Sequence, residues 1–466
     1  GIQGVSLCSG TIDTDVKVIT KHRLRDVIDM NTFIDMQPEG TLVFDGFALG
    51  LEKQNIIFRN VNGELSVSDI YRTPGLEFDY AGQKINYKGD VRNLFEWLAG
   101  RPVTLYAAGD ISFNRFLPDA YSSHGDAAAS KGVNFPTDML LDINFIIDSL
   151  RYKKFASSAI KGSLTYKPRL LTFKSLNFKS VDGSISGNGF IVQNSNKAFI
   201  SRGDFMVNGI DINKAFATFN NFGQSFVVRE NLSGKLSGSI SVLLPLNPEF
   251  RPKQKELTAE GKYIITDGAL INFEPVKKLS SFIELSELEN IHFDKLENDF
   301  FIRNNALVIP QMDVKSSAAD LTVNGRHSFD NNYEYHVKIL LSQILSKKRR
   351  AAKKPVTEFG AVKDDGLGRT SLLLKVVNRG DDVKVSYDIK AVSQEVNNNL
   401  INEKKQLKNM LNEEYGWYDD EVKQPEKSAP AKQSGRFNIT WDETDTVAPA
   451  VKEEEAKGFR NLFRKK

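Results

Sequence analysis

Between residues 236 and 244 the chain alternates: Leu236, Ile240, Val242 and Leu244 point one way, and Ser237, Ser239 and Ser241 the other. The pattern returns at 333–341, where Tyr333, Tyr335, Val337, Ile339 and Leu341 oppose Glu334, His336 and Lys338. At 181–191, Val181, Ile185 and Ile191 share a face with Gly183, Gly187 and Gly189. A period of two with one polar face cannot make an amphipathic helix. It makes a half-buried strand of an antiparallel sheet.

The same unit recurs as VNGELSVSD (61–69), IKGSLTYKP (160–168), AEGKYIITDGALINF (259–273) and NNALVIPQMDVKSSAADLTVNG (304–325). In the last, Val308, Met312 and Val314 mark one strand face, Leu321 and Val323 the next, and Pro310 implies an edge or a bulge. Glycines and Asn-Gly or Asp-Gly pairs are expected to supply the positive-φ turns of hairpins. The spacing is irregular, which predicts a long meander and not a strict solenoid. Composition agrees, with 31 Phe against 3 Trp and 33 Gly against 15 Pro.

Helices are expected to be few and short. Asp90 caps one candidate that Gly100 ends, and Asp211 caps a second that ends at Gly223. Pro275 opens a third over 275–290, with Val276, Leu279, Ile283 and Leu288 as its stripe, and a fourth falls at 21–30. The expected class is therefore mainly β: a long, curled, largely antiparallel sheet, as a groove or an open sandwich, with a few short helices. The divisions read as a repetitive β-rich body (1–255), a distinct block (256–345), a basic and Gly-rich linker (346–368), a closing hairpin turning at Asn378–Asp382 (369–392), and a polar, largely disordered tail (393–466).

The signals for chemistry are sparse. The five histidines lie in separate segments without metal-ligand spacing. There is no G-x-S-x-G or Walker A motif, and Gly-rich 183–189 is flanked by strands, so it reads as turns and bulges and not as a phosphate loop. The acidic clusters lack the ligand alternation of a calcium loop. No catalytic residue, metal or cofactor is expected, and the chain reads as a non-enzyme. The lone Cys8 reads as a small buried residue. With 62 basic and 59 acidic side chains and a net charge of +3, a general nucleic-acid binder is disfavoured. Two basic segments, KKRRAAKK from Lys347, Lys348, Arg349 and Arg350 onward, and the terminal run with Phe459, Phe463 and Arg464, suit either anionic lipid head groups or plain solvation.

Residues 256–342 resemble the C-terminal region of AsmA-like proteins of the Gram-negative envelope. The likeness lies in an order of parts: a strand with Asp267-Gly268, a short helix with Leu279-Ser280, Ile291 and Phe293 on a strand, then IRNNAL, IPQMDVKSS and DLTVNG. The resemblance implies a periplasmic β-rich body, anchored through a segment upstream of this chain. Like the related TamB-type proteins, it would carry phospholipid or another acyl lipid between membranes, supporting outer-membrane biogenesis. The groove-lining candidates are then Val181, Ile185, Ile191, Leu236, Ile240, Val242, Leu244, Val308, Met312, Val314, Tyr335, Val337 and Ile339. A β-sandwich would bury the same faces against a second sheet. The alternative function is a structural or assembly factor that binds envelope proteins through open sheet edges.

Overall fold

The computed structural model describes residues 5–18, 30–51, 56–118, 132–225, 227–281, 283–340, 363–364, 370–380 and 382–388. All but the last residue of the expected helix at 21–30, most of the linker, the tail and all seven basic-segment candidates (Lys347, Lys348, Arg349, Arg350, Phe459, Phe463 and Arg464) lie outside the described residues.

The alternating segments become strands of one sheet. The first six are β1 (Val5–Lys17), β2 (Glu39–Leu51), β3 (Ile56–Val67), β4 (Tyr71–Tyr80), β5 (Gln83–Arg92) and β6 (Leu105–Phe113). Next come β7 (Met139–Tyr152), β8 (Phe155–Lys167), β9 (Leu170–Ser180), β10 (Gly183–Gln193), β11 (Phe199–Asp211), β12 (Leu232–Leu246) and β13 (Thr258–Ile271). The last are β14 (Asn290–Arg303), β15 (Ala306–Val314), β16 (Leu321–Ser328), β17 (Tyr333–Leu340), β18 (Lys363–Asp364), β19 (Thr370–Arg379) and β20 (Asp382–Tyr387).

Each strand pairs with its neighbour in sequence from β1 to β17. The sheet then continues β17–β19–β20, and β18 adds two residues to β19. Every pairing is antiparallel except β6–β7, which is parallel and needs a crossover running back along the strands. The ladder continues across residue 255 through the β12–β13 pairing. β1 and β20 do not meet, so the sheet stays open.

One face of this sheet is apolar from end to end. Following the register, Leu42 meets Leu65, Phe78 meets Ile85, Ile85 meets Phe113, and Ile111 meets Phe145. The stripe goes on through Ile147–Ile160, Leu164–Phe173, Phe178–Ile185, Ile185–Val207 and Phe205–Ile240. It finishes through Leu236–Ile265, Met312–Val323, Val323–Val337, Val337–Leu374 and Val376–Val385. The opposite face is mostly polar, as where Ser241 donates to Asp204 at 2.6 Å; of its apolar side chains Ile146 and Met206 stand exposed, while Leu243, Phe301 and Val308 are buried.

Glycine supplies the expected positive φ at some hairpin turns, Gly82 between β4 and β5 and Gly380 after β19, but not at most of them. Two-residue turns at Lys153-Lys154, Val181-Asp182 and Asn304-Asn305 join neighbouring strands, and non-glycine residues take the positive φ there. Most glycines lie inside strands instead. Gly238, between Leu236 and Ile240, has φ +154°, and a Cβ there would sit 2.0 Å from the Lys262 carbonyl oxygen. It lets β12 and β13 approach and coil. Gly238→Val raises strand propensity, yet is expected to lower stability by about 1–3 kcal/mol in chemical denaturation. A neutral or stabilising result would show that propensity outweighs the close approach.

The helices are shorter than expected. β5 runs on through Arg92, so Asp90 caps nothing; it pairs with Arg72 at 2.8 Å, and α2 (Leu94–Leu98) begins after Asn93. α3 (Ile212–Thr218) is capped by Asp211, which accepts from the Lys214 N–H. The third expected helix breaks into α4 (Glu274–Lys277), a 3₁₀ turn (Lys278–Ser281) and α5 (Leu285–Glu289). The five-residue step from Ile283 to Leu288 exceeds one helical turn, so a continuous helix would swing Leu288 off the buried face. α1 (Met30–Asp35) lies near α2, where Arg101 bridges to Asp35 at 2.8 Å. Cys8 is exposed on the edge strand β1 and not buried; among the described residues β1 pairs on one side only, with β2, so fewer neighbouring side chains flank it on either face. No helix among the described residues is long and apolar enough to cross a membrane.

Candidate functional site: an apolar trough

The apolar face curls on itself. Val207 on β11 and Val376 on β19 line one cavity, though seven strand spacings separate them along the sheet. Laid flat, that is roughly 34 Å at the ordinary spacing between strands. The cavity has a volume of ≈ 400 Å³ and is partly open to solvent. That volume lies in the range of pockets that bury most of a drug-sized molecule.

The strands build its walls in sequence order. β12 contributes Leu236 and Ile240, β13 Tyr263 and Ile265, and β14 Phe293, Leu296 and Phe300. Leu307, Ile309, Met312 and Val314 follow on β15, then Leu321 and Val323 on β16, and Tyr335 and Val337 on β17. Helices close one end, through Ile212 and Phe216 of α3 and Pro275, Val276 and Leu279 of the 274–281 segment. Beyond the other end of β11, Phe199 packs against Phe135 and Phe250 at 5.1 and 4.9 Å between ring centroids, with Tyr166 beside Phe135.

Polar groups in the walls are few and mostly satisfied within the wall. The Tyr263 hydroxyl contacts Met312 Sδ at 3.6 Å, and burial pushes that phenol up to about 12. Tyr335 meets His327 Nδ1 at 2.9 Å, and His327 Nε2 meets Asn331 Oδ1 at 3.0 Å. An amide oxygen only accepts, which puts the ring proton on Nε2 and leaves Nδ1 to accept from the tyrosine. His327 is fully buried; loss of solvation lowers its pKa from 6.5 to about 4, against the raising effect of Asn331. On the outer face His336 bonds Asp388 and Glu334, and Lys375 reaches the same Glu334 at 2.5 Å. Among the described residues no cluster of His, Cys, Asp and Glu is placed to hold a metal ion.

Comparison with family models, with curated proteins and with solved structures returns no match. The site therefore has to be read from its own geometry. Of the residues expected to line a groove, Leu236, Ile240, Met312, Val314, Tyr335 and Val337 do line the cavity. Val181 and Ile185 pack beside it against Val207, Ile210 and Ala215. By register, Ile191, Val242 and Leu244 lie on the same face, nearer the aromatic end. Ile339 shares the face of Val337 but is fully buried in the core under Leu279, Ile283 and Leu288.

Val308 faces the other way. The register slips between Ile309 and Met312, at Pro310, so one extra residue flips the face. Leu307 and Ile309 take the inner side before the bulge, while Val308 is buried between Phe301 and Arg326 of the neighbouring strands. The helix-borne lining residues escape a reading by strand parity, although the stripe that carries Val276 and Leu279 is plain in the sequence. Nothing in that stripe says which sheet face it covers.

Proposed function

We propose that this protein binds acyl lipid along the apolar face of its curled sheet and conducts phospholipid between membranes, as a non-enzymatic envelope component supporting outer-membrane biogenesis. The observation that carries the reading is the continuity of that face: an apolar stripe leads from β2 to β20 and, between β11 and β19, walls a cavity almost wholly with hydrocarbon. Each buried methylene contributes about 0.8 kcal/mol. About five to nineteen of them match the association cost of roughly 4–15 kcal/mol. A long hydrocarbon chain meets that requirement, and the charged head group stays in water at the open side. The periplasmic setting rests on the resemblance of residues 256–342 to AsmA-like C-terminal regions.

A second reading, an assembly factor that captures envelope proteins by strand addition, draws on the outer edge of β1, which no strand among the described residues pairs. A photo-crosslinking residue at Ile240 or Met312, inside the trough, distinguishes the two when compared with Met206 or Ile146 on the exposed face. With a radiolabelled phospholipid, the inner positions are expected to capture label at least about tenfold more, a preference of about 1.4 kcal/mol. Equal or absent labelling would remove the lipid reading.

A further inference from the structure

Beside the closed end of the trough, two aromatic side chains stand in solvent. Phe219 and Phe222 follow α3, are 42% and 50% exposed, and stack with ring centroids 5.4 Å apart. Phe222 also meets Phe216 edge-on at 5.4 Å, and Phe216 lines the cavity. The exposed pair is thus one ring away from the trough interior. Phe219 touches Phe155 at 5.9 Å, the residue that begins β8 just after the turn Lys153-Lys154. Tyr152, 41% exposed, precedes that turn, and Lys153 Nζ lies 5.2 Å from its ring centroid.

The charges at this end are unbalanced toward cations. Asp182 is paired by Lys214 at 2.6 Å, and Glu230 by Arg229 at 2.5 Å. Lys153 and Lys154 are exposed and make no ion pair among the described residues. Exposed aromatic rings edged by lysine match the chemistry of the membrane interface, where rings sit at head-group depth and cations meet lipid phosphates. A soluble surface gains nothing from holding two stacked phenylalanines in water.

Resting on the lipid-binding reading, we infer that the tip formed by Tyr152–Phe155 and Phe219–Phe222 docks on a phospholipid bilayer surface and sets the trough end against it. Phe219 and Phe222 insert among the acyl chains, and Lys153 and Lys154 face the head-group phosphates. Phe216 links this seat to the cavity.

The experiment is co-sedimentation of the whole chain with vesicles of phosphatidylcholine and phosphatidylglycerol. Phe219→Ser combined with Phe222→Asn is expected to weaken binding at least about tenfold, since asparagine tolerates the positive φ at 222. Lys153→Ser and Lys154→Ser each cost about fivefold on these vesicles, the equivalent of about 1 kcal/mol per near-surface cation, and nothing on phosphatidylcholine alone. Met206→Ser leaves binding unchanged. Phe222→Trp, with its emission shifted blue by vesicles and quenched by brominated acyl chains, reports insertion without depending on the loss-of-binding variants.

Unchanged binding by the double variant, or an indole of Phe222→Trp that stays in water, overturns the inference. So does dimerisation through the same pair without vesicle binding, which would make a second copy the occupant. If lipid crosslinks inside the trough while the double variant binds vesicles normally, only the docking inference falls. If the tip inserts and no lipid is captured inside, the lipid-conducting reading falls instead.

Discussion

Leu374→Ala is expected to open the β16–β20 end of the sheet while leaving β3–β5 untouched. Leu374 is fully buried, in a core cluster shared with Leu279, Leu288, Ile339, Leu372 and Val376. Removing a buried leucine side chain costs about 2–5 kcal/mol, through lost transfer energy and the cavity left behind. The strands pair almost wholly with their neighbours in sequence, and the hydrophobic clusters are strung along the sheet, so the molecule is close to one-dimensional. Damage should therefore stay local. Hydrogen exchange is the fitting measurement, because a single midpoint would blur regions that unfold separately. The expected result is a loss of protection in β16–β20 by that amount, with exchange in β3–β5 unchanged and Met206→Ala within about 0.5 kcal/mol of the parent. Uniform loss along the chain would mean that the sheet unfolds as one cooperative unit.

The second large effect is a dependence of stability on pH that passes through His327. Burial lowers its folded-state pKa from 6.5 to about 4, so the folded chain takes up this proton later than the unfolded chain does. The stabilisation from this group is complete above about pH 6.5. It declines as pH falls through the window between 6.5 and 4, by about 1.4 kcal/mol per pH unit, and levels off below it. The full change is roughly 3 kcal/mol. Protonation would also place a second N–H against the Tyr335 hydroxyl, inside a wall formed by Tyr333 and Tyr335. His327→Gln keeps a donor and an acceptor and removes the titration. Between pH 6.5 and pH 5 the parent should lose about 2 kcal/mol more than this variant. Equal losses would assign the acid sensitivity to the carboxylates, among them Glu334, whose pKa is held down by Lys375 and His336 against the raising effect of its own burial.

Much of the fold was legible because a strand writes its two faces directly into alternating positions. Leu236, Ile240, Tyr335 and Val337 needed only parity to be placed on the inner face, and the structure puts them there. Parity failed at Val308, where a bulge at Pro310 inserts a residue, and a bulge has no strong sequence mark beyond the proline. The helix over 275–290 failed for a related reason. Its stripe showed that the segment would be buried, but the step from Ile283 to Leu288 had to be weighed against the sheet beneath it. Asp90 looked like a cap because capping is local, while the β5–β6 ladder that claims Val91 and Arg92 is not.

By itself the sequence determined that this chain makes strands, that they meander, and which side of most of them avoids water, since period and turn chemistry act over a few residues. Only the tertiary structure decided that the sheet stays open, that β6 and β7 run parallel, and that β11 and β19 curl toward one another across a shared cavity. Twist and coil are summed over many strands, each adding a small rotation that no local pattern records. Whether an apolar face becomes a closed core or an open trough depends on that sum.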